Sequence, residues 1–101
     1  MHLKGRSEPR SQFDAITEIC DLDQSQELVA VSRDLSVSGC FVKTTTPFPK
    51  ETRVRVRIQH SGEDFVAIGN VTENVTETGM GIVFTQIEPN DRALLARWLG
   101  R

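Results

Sequence analysis

The sequence predicts an all-β fold, an antiparallel barrel or sandwich of six short strands, with a short C-terminal α-helix. Three observations carry this. Apolar and polar residues alternate with a period of two, most plainly where Val54, Val56 and Ile58 interleave with Arg53, Arg55 and Arg57. Polar turns, several bearing glycine or proline, separate such segments at short intervals. Only at the end does the period change, with Leu94, Leu95, Trp98 and Leu99 on one helical face. A chain of 101 residues fits one domain. It divides into an N-terminal arm (1–12), a barrel (13–86) and a helix (88–100).

The arm has little apolar content, and Pro9 disfavours helix at Glu8, so a mobile segment is expected. Residues 13–19 read as the first strand, and the polar run from Asp21 to Gln26 as a turn. Residues 27–34, rich in Val and Leu, form the second strand. Residues 39–44 form the third, and Pro47 and Pro49 break the pattern after it. Residues 52–59 are the clearest strand. His60-Ser61-Gly62-Glu63 reads as a hairpin turn, and 64–76 as a long fifth strand. In 79–84, Met80, Ile82 and Phe84 share a face. Pro89 suits the first helical position, and Asp91 adds negative charge to the first turn. The helix is expected to cover an opening of the barrel.

Composition narrows the function classes. Twelve basic and 14 acidic residues give a net charge of −2, which argues against a domain held to nucleic acid by bulk charge. Arg53, Arg55 and Arg57 read as a solvated outer face, and with no Tyr there are few aromatics to stack single-stranded bases. No apolar run approaches membrane-spanning length, and the N-terminus lacks an apolar signal core, so no membrane insertion and a cytoplasmic location are expected. The two Asn-Val-Thr-Glu runs, 70–73 and 74–77, match the glycosylation acceptor pattern, but without a secretion signal they carry no weight. Cys20 and Cys40 lack metal spacing and read as buried free thiols. His2 and His60 have no partner pattern for catalysis or metal binding. With no nucleophile–base or metal constellation, neither an enzyme nor a cofactor is expected.

Two short patterns remain. Arg6-Ser-Glu-Pro-Arg10 carries two arginines four residues apart, and guanidinium groups bind phosphate or a guanine edge bidentately. Asp34-Leu-Ser36-Val-Ser38-Gly39 is a small polar turn between the second and third strands. Asp and Ser there can cap turn amides or offer hydrogen bonds to a ligand, and glycine lets backbone approach closely. Alone, the first pattern reads as a solvated charge pair and the second as local turn chemistry. Together, placed before and within a barrel, they read as two sides of one pocket for a compact anionic ligand.

In that arrangement the chain resembles the PilZ domain, a bacterial receptor for cyclic di-GMP. The family's Arg-x-x-x-Arg matches Arg6 and Arg10, and its Asp/Asn-x-Ser-x-x-Gly matches Asp34, Ser36 and Gly39. Gly79-Met-Gly81-Ile-Val-Phe84 looks like the glycine-aromatic strand before the family's last helix, and the resemblance runs from Arg6 to Leu99. It implies a six-stranded antiparallel β-barrel with a C-terminal helix. It also implies cyclic di-GMP as ligand, with Arg6 and Arg10 gripping guanine and phosphate groups. Asp34 would accept from guanine nitrogens, Ser36 would add a hydroxyl and Gly39 would permit the tight turn. Arg33 and Ser38 are nearby candidates. Family members often carry a basic residue where this chain has Gly5, so one ligand and a stacked pair both stay open. The expected function is a receptor whose arm orders on binding and signals to an effector protein or fused domain. The alternatives are a ligand-independent interaction module and, behind it, an oligonucleotide-binding barrel.

Overall fold

The computed structural model describes residues 10–100. Its elements in chain order are β1 (Ser11–Gln12), β2 (Ile16–Asp21), β3 (Glu27–Leu35), β4 (Gly39–Lys43), β5 (Arg53–His60), β6 (Glu63–Val75), β7 (Gly79–Gln86) and α1 (Pro89–Trp98). Six strands close on themselves in the order β3-β2-β5-β6-β7-β4, with β4 pairing back onto β3, and every pairing is antiparallel. The barrel and the C-terminal helix expected from the sequence are therefore present, with the two-residue β1 as an additional strand.

Alternation decides which side chains fill the barrel. Val54, Val56 and Ile58 point inward and are fully buried, while Arg53, Arg55 and Arg57 stay outside. Ile19, Leu35, Val42, Phe65, Val71, Met80 and Ile82 complete the centre. Each such side chain contributes about 1.5–3 kcal/mol relative to an exposed position. Closure leaves the barrel strands without a free edge.

The first strand differs from expectation. It starts at Ile16 rather than at residue 13, because the buried Ser32 occupies the ladder there. The Ser32 hydroxyl accepts from the Ala15 amide at 3.0 Å and donates to the Phe13 carbonyl. Upstream of this interruption, Ser11 pairs with Leu35 and Gln12 with Asp34. Residues 11–12, assigned to the arm from sequence, thus join the sheet. The hairpin turn is also tighter than expected. His60 and Glu63 are strand residues, and only Ser61 and Gly62 turn, at φ 54° and 77°, a type I′ geometry matched to strand twist.

The helix docks on the start of β6. Pro89 occupies the first turn as expected. Asp91 does more than complement the dipole: its carboxylate accepts from the Val66 amide at 3.0 Å, at a point where β6 has run beyond its pairing with β7. Leu94 and Leu95 join the core. Trp98 packs against Phe13, with ring centroids 5.4 Å apart, and against His60 at 5.2 Å. Arg97 donates to Glu63 at 2.8 Å, and this hydrogen bond chiefly holds the Glu63 carboxyl below its usual range. Gly100, at φ 77°, follows the last turn. Both cysteines are free, but only Cys40 is buried. Cys20 is half-buried on the outward face of β2, which corrects the sequence expectation for it. No helix among the described residues is long and apolar enough to cross a membrane.

Candidate ligand site

The turn between β3 and β4 is closed from within. Ser36 is buried, and its Oγ accepts from the amides of Ser38 and Gly39, each at 3.2 Å. The Ser36 amide donates to the Gly39 carbonyl at 2.9 Å. Phe84 donates its amide to the Ser38 carbonyl at 2.8 Å, which ties the turn to β7. Of the two roles the sequence left open for Ser36, capping turn amides is the one its hydroxyl performs here. Gly39 is needed for a different reason from the one expected. Its φ is not among the positive values; instead, a Cβ would collide with the Ile82 carbonyl oxygen across the β4–β7 ladder. Close strand approach, not turn geometry, excludes a side chain there.

A bulge builds the outer half of the site. In the β3–β4 register Ser32 faces Val42 and Asp34 faces Phe41, so Arg33 is the extra residue. Strict alternation would send Arg33 and Asp34 to opposite sides of the barrel wall. With the bulge, Ser32 and Leu35 point inward and both intervening side chains reach the outer surface. The Asp34 side chain is only 13% exposed and accepts from two arginines. Arg10 Nη1 lies 2.5 Å from Oδ1. Arg33 reaches Oδ2 with Nε at 3.0 Å and Nη2 at 2.9 Å. The Arg33 guanidinium also lies over the Phe41 ring, 4.1 Å from its centroid.

β1 explains why Arg10 arrives here. Its register with Asp34 and Leu35, continued back one residue, sets Arg10 beside the turn that begins at Ser36. The cluster is thus a carboxylate with two guanidinium groups, locally positive on a chain of net charge −2. Its chemical capacity is acceptance of donors at the carboxylate and bidentate donation to phosphate or a guanine edge. Beneath it lies Cys40. Burial, with Asp34 adding and Arg10 opposing, pushes its thiol up to about 12, which makes it unreactive at neutral pH.

The structure therefore brings together Arg10, Arg33, Asp34, Ser36, Ser38 and Gly39. Arg6 lies outside the described residues. Sequence reasoning missed Phe41, which looked like an ordinary strand residue. A signal was available in Gly79 and Gly81, whose absent side chains leave outer-face room for its ring.

Two clefts lie elsewhere on the barrel. One, of about 90 Å³, is lined by Glu18, Ile19, Cys20, Glu27, Arg55 and Arg57. The other is an open groove of about 450 Å³ between 26–28 and 46–49. Neither touches the Arg10–Asp34 cluster, which is an open surface formed by the outer wall. In the first cleft Arg57 pairs with Glu18 at 3.3 Å and, outside it, with Asp64 at 3.5 Å, so the arginine face of β5 is partly neutralised. No group of three or more His, Cys, Asp or Glu among the described residues could hold a metal ion.

Known structures share this architecture. The PilZ domain of CeSA from a cellulose-synthesizing bacterium superposes with a TM-score of 0.72 at 23% identity, covering 89% of this chain and 93% of that one. The PilZ domain of YcgR from Escherichia coli, solved with c-di-GMP, gives 0.75 at 15% identity, over 94% and 88% of the two chains. The K. pneumonia MrkH–c-di-GMP complex gives 0.79 at 13% identity, covering 96% of this chain and 52% of MrkH, so this chain spans about half of that protein. At these identities the likeness concerns the fold. No curated protein sequence matches the chain. The PilZ domain family model matches residues 4–101, almost the whole length, including both motifs. By that match, and by a barrel that places Arg10 against the Asp34–Gly39 turn, the chain belongs to the PilZ domain family.

Proposed function

We propose that this domain is a receptor for cyclic di-GMP that binds the nucleotide across Arg6, Arg10 and the 34–39 turn. The observation that carries the reading is the Asp34 carboxylate gripped by Arg10 and Arg33 beside a turn braced from inside. Family membership supports the choice of ligand, as do the c-di-GMP complexes of MrkH and YcgR among similar structures. Arg10 and Arg6 donate to phosphate and guanine, while Asp34 accepts from the guanine N1–H and N2–H. Ser36 holds the turn in shape, and Ser38 offers the more accessible hydroxyl. Arg10 must share or release Asp34 as the ligand enters. The arm preceding β1 then orders over the nucleotide, and the changed surface is read by a partner protein or domain. The domain works by binding rather than catalysis.

Calorimetry with cyclic di-GMP, GTP and cyclic di-AMP tests this. Binding of cyclic di-GMP in preference to the other two, weakened about 30-fold or more by Arg10→Ala, is the expected result. No binding at tens of micromolar by the intact protein would remove the ligand assignment. One observation favours a second reading, a ligand-independent interaction module: Ile16, Val29 and Val31 expose apolar surface on the outer face of β2 and β3, with Val29 69% exposed. A partner captured equally well with and without nucleotide, and by Arg10→Ala, would favour that reading.

A further inference from the structure

Phe41 is out of place by the rules of this barrel. In β4 the inward positions are Cys40 and Val42, so Phe41 points outward, yet it is only 5% exposed. Two features cover it. On β7, Gly79 and Gly81 leave room for the ring; a Cβ on Gly79 would meet Phe41 Cε1 at 2.6 Å and Cζ at 2.9 Å. Over the ring lies the Arg33 guanidinium, 4.1 Å from the centroid. Contact with the ring face restricts where that guanidinium can lie. Two of its nitrogens, Nε and Nη2, meet the same Asp34 oxygen, Oδ2. Oδ1 is left to Arg10, the residue that enters from the arm side.

We propose that Arg33 is a positioning residue for guanine recognition. In contact with Phe41, it fixes the Asp34 carboxylate through Oδ2 and leaves Oδ1 as the oxygen that exchanges Arg10 for the guanine N2 amine. The inference rests on the reading of this site as a cyclic di-GMP receptor. It separates two kinds of arginine within one cluster. Arg10 is a ligand contact, whereas Arg33 acts through Asp34. A freely rotating carboxylate would tolerate the loss of one donor on the base. An oriented one discriminates, because a correctly aimed acceptor that finds no donor stays desolvated and unpaired.

Cyclic di-IMP, whose base lacks the exocyclic N2 amine, is the probe. Affinities for cyclic di-GMP and cyclic di-IMP are measured by calorimetry on the wild-type protein, Arg33→Lys, Arg33→Gln and Phe41→Leu, alongside thermal melts. The wild type is expected to favour cyclic di-GMP by about tenfold or more, as for one hydrogen bond to a charged acceptor. Arg33→Lys keeps the charge but loses the planar fork. It should bind cyclic di-GMP more weakly and shrink the preference to about threefold or less. Phe41→Leu should move the ratio the same way, and Arg33→Gln should resemble Arg33→Lys. A wild-type-like ratio in Arg33→Lys would overturn the proposal while leaving the receptor reading intact. Weakening confined to Arg33→Gln and equal for both nucleotides would overturn it too, by making Arg33 a simple charge contact. Failure of the wild type to bind cyclic di-GMP defeats both readings.

Discussion

Two arginine clusters on the barrel wall differ in how they are held, and each has a cysteine behind or beside it. On β5, Arg53, Arg55 and Arg57 stand in a row, with Arg57 paired to Glu18 and Asp64 at 3.3 and 3.5 Å and Cys20 in the adjoining cleft. At the end of β3, Arg10 and Arg33 converge on one carboxylate at 2.5–3.0 Å, one of them over an aromatic ring, above the buried Cys40. The first surface follows from alternation alone and its charges are half in water. The second needs a bulge, a glycine pressed against the next strand and a turn hydrogen-bonded from inside. The number of arginines is therefore a poor guide to a site. What distinguishes one is how many independent constraints fix each charged group.

The largest expected effect tests the floor of the second surface. Gly39→Ala forces a Cβ into the Ile82 carbonyl and should cost about 3 kcal/mol, seen as a melting temperature lower by at least about 10 °C. Unchanged melting would mean that β4 and β7 separate easily and the turn is not rigidly held. Next, Arg10→Ala should weaken cyclic di-GMP binding about 30-fold or more, equivalent to about 2 kcal/mol. The triple change of Arg53, Arg55 and Arg57 to Gln should leave the affinity within about twofold at moderate salt. A larger loss in the triple variant would reverse the ranking of the two surfaces.

The cysteines offer a ligand-free comparison. The Cys40 thiol is pushed up to about 12 in the fold from an ordinary value of 9.0. Its neutral form is favoured in the native state, so the associated stability is complete below pH 9 and is lost as pH rises toward 12. Melting temperature should fall across that window, and the fall should be shallower in Cys40→Ala. With no Tyr in the chain, no phenol titration overlaps it. At pH 8 a thiol reagent should label the half-buried Cys20 in the native protein and reach Cys40 only on unfolding. Equal labelling would show the turn opening readily. The smallest effect is Arg57→Ala, expected to change stability by less than about 1 kcal/mol, as for an exposed ion pair.

Much of this was legible in the residues. The 52–59 segment announces its strand because period-two alternation is a local property, and β5 occupies Arg53–His60. Pro89 and the spacing of Leu94, Leu95 and Trp98 announce the helix for the same reason. The two motifs could be matched by spacing alone. Part of what was missed involves pairs far apart in sequence. Nothing near residue 13 signals that Ser32 will interrupt its ladder, and nothing near Asp91 signals that Val66 needs an acceptor. Gly39 was expected to permit a tight turn, whereas the carbonyl that excludes a side chain there belongs to the distant Ile82.

Local patterning carries the all-β class, the succession of the six barrel strands and the motif residues, since each depends on neighbours within a few positions. Folding in three dimensions is what commits the Ser36 hydroxyl to its own turn and, through a bulge, brings both Arg33 and Asp34 to the outer surface. It also decided that Phe41 would lie outside the barrel under a guanidinium. The physical reason is that register, bulges and close strand contacts are set when distant segments pair, and no single segment carries them.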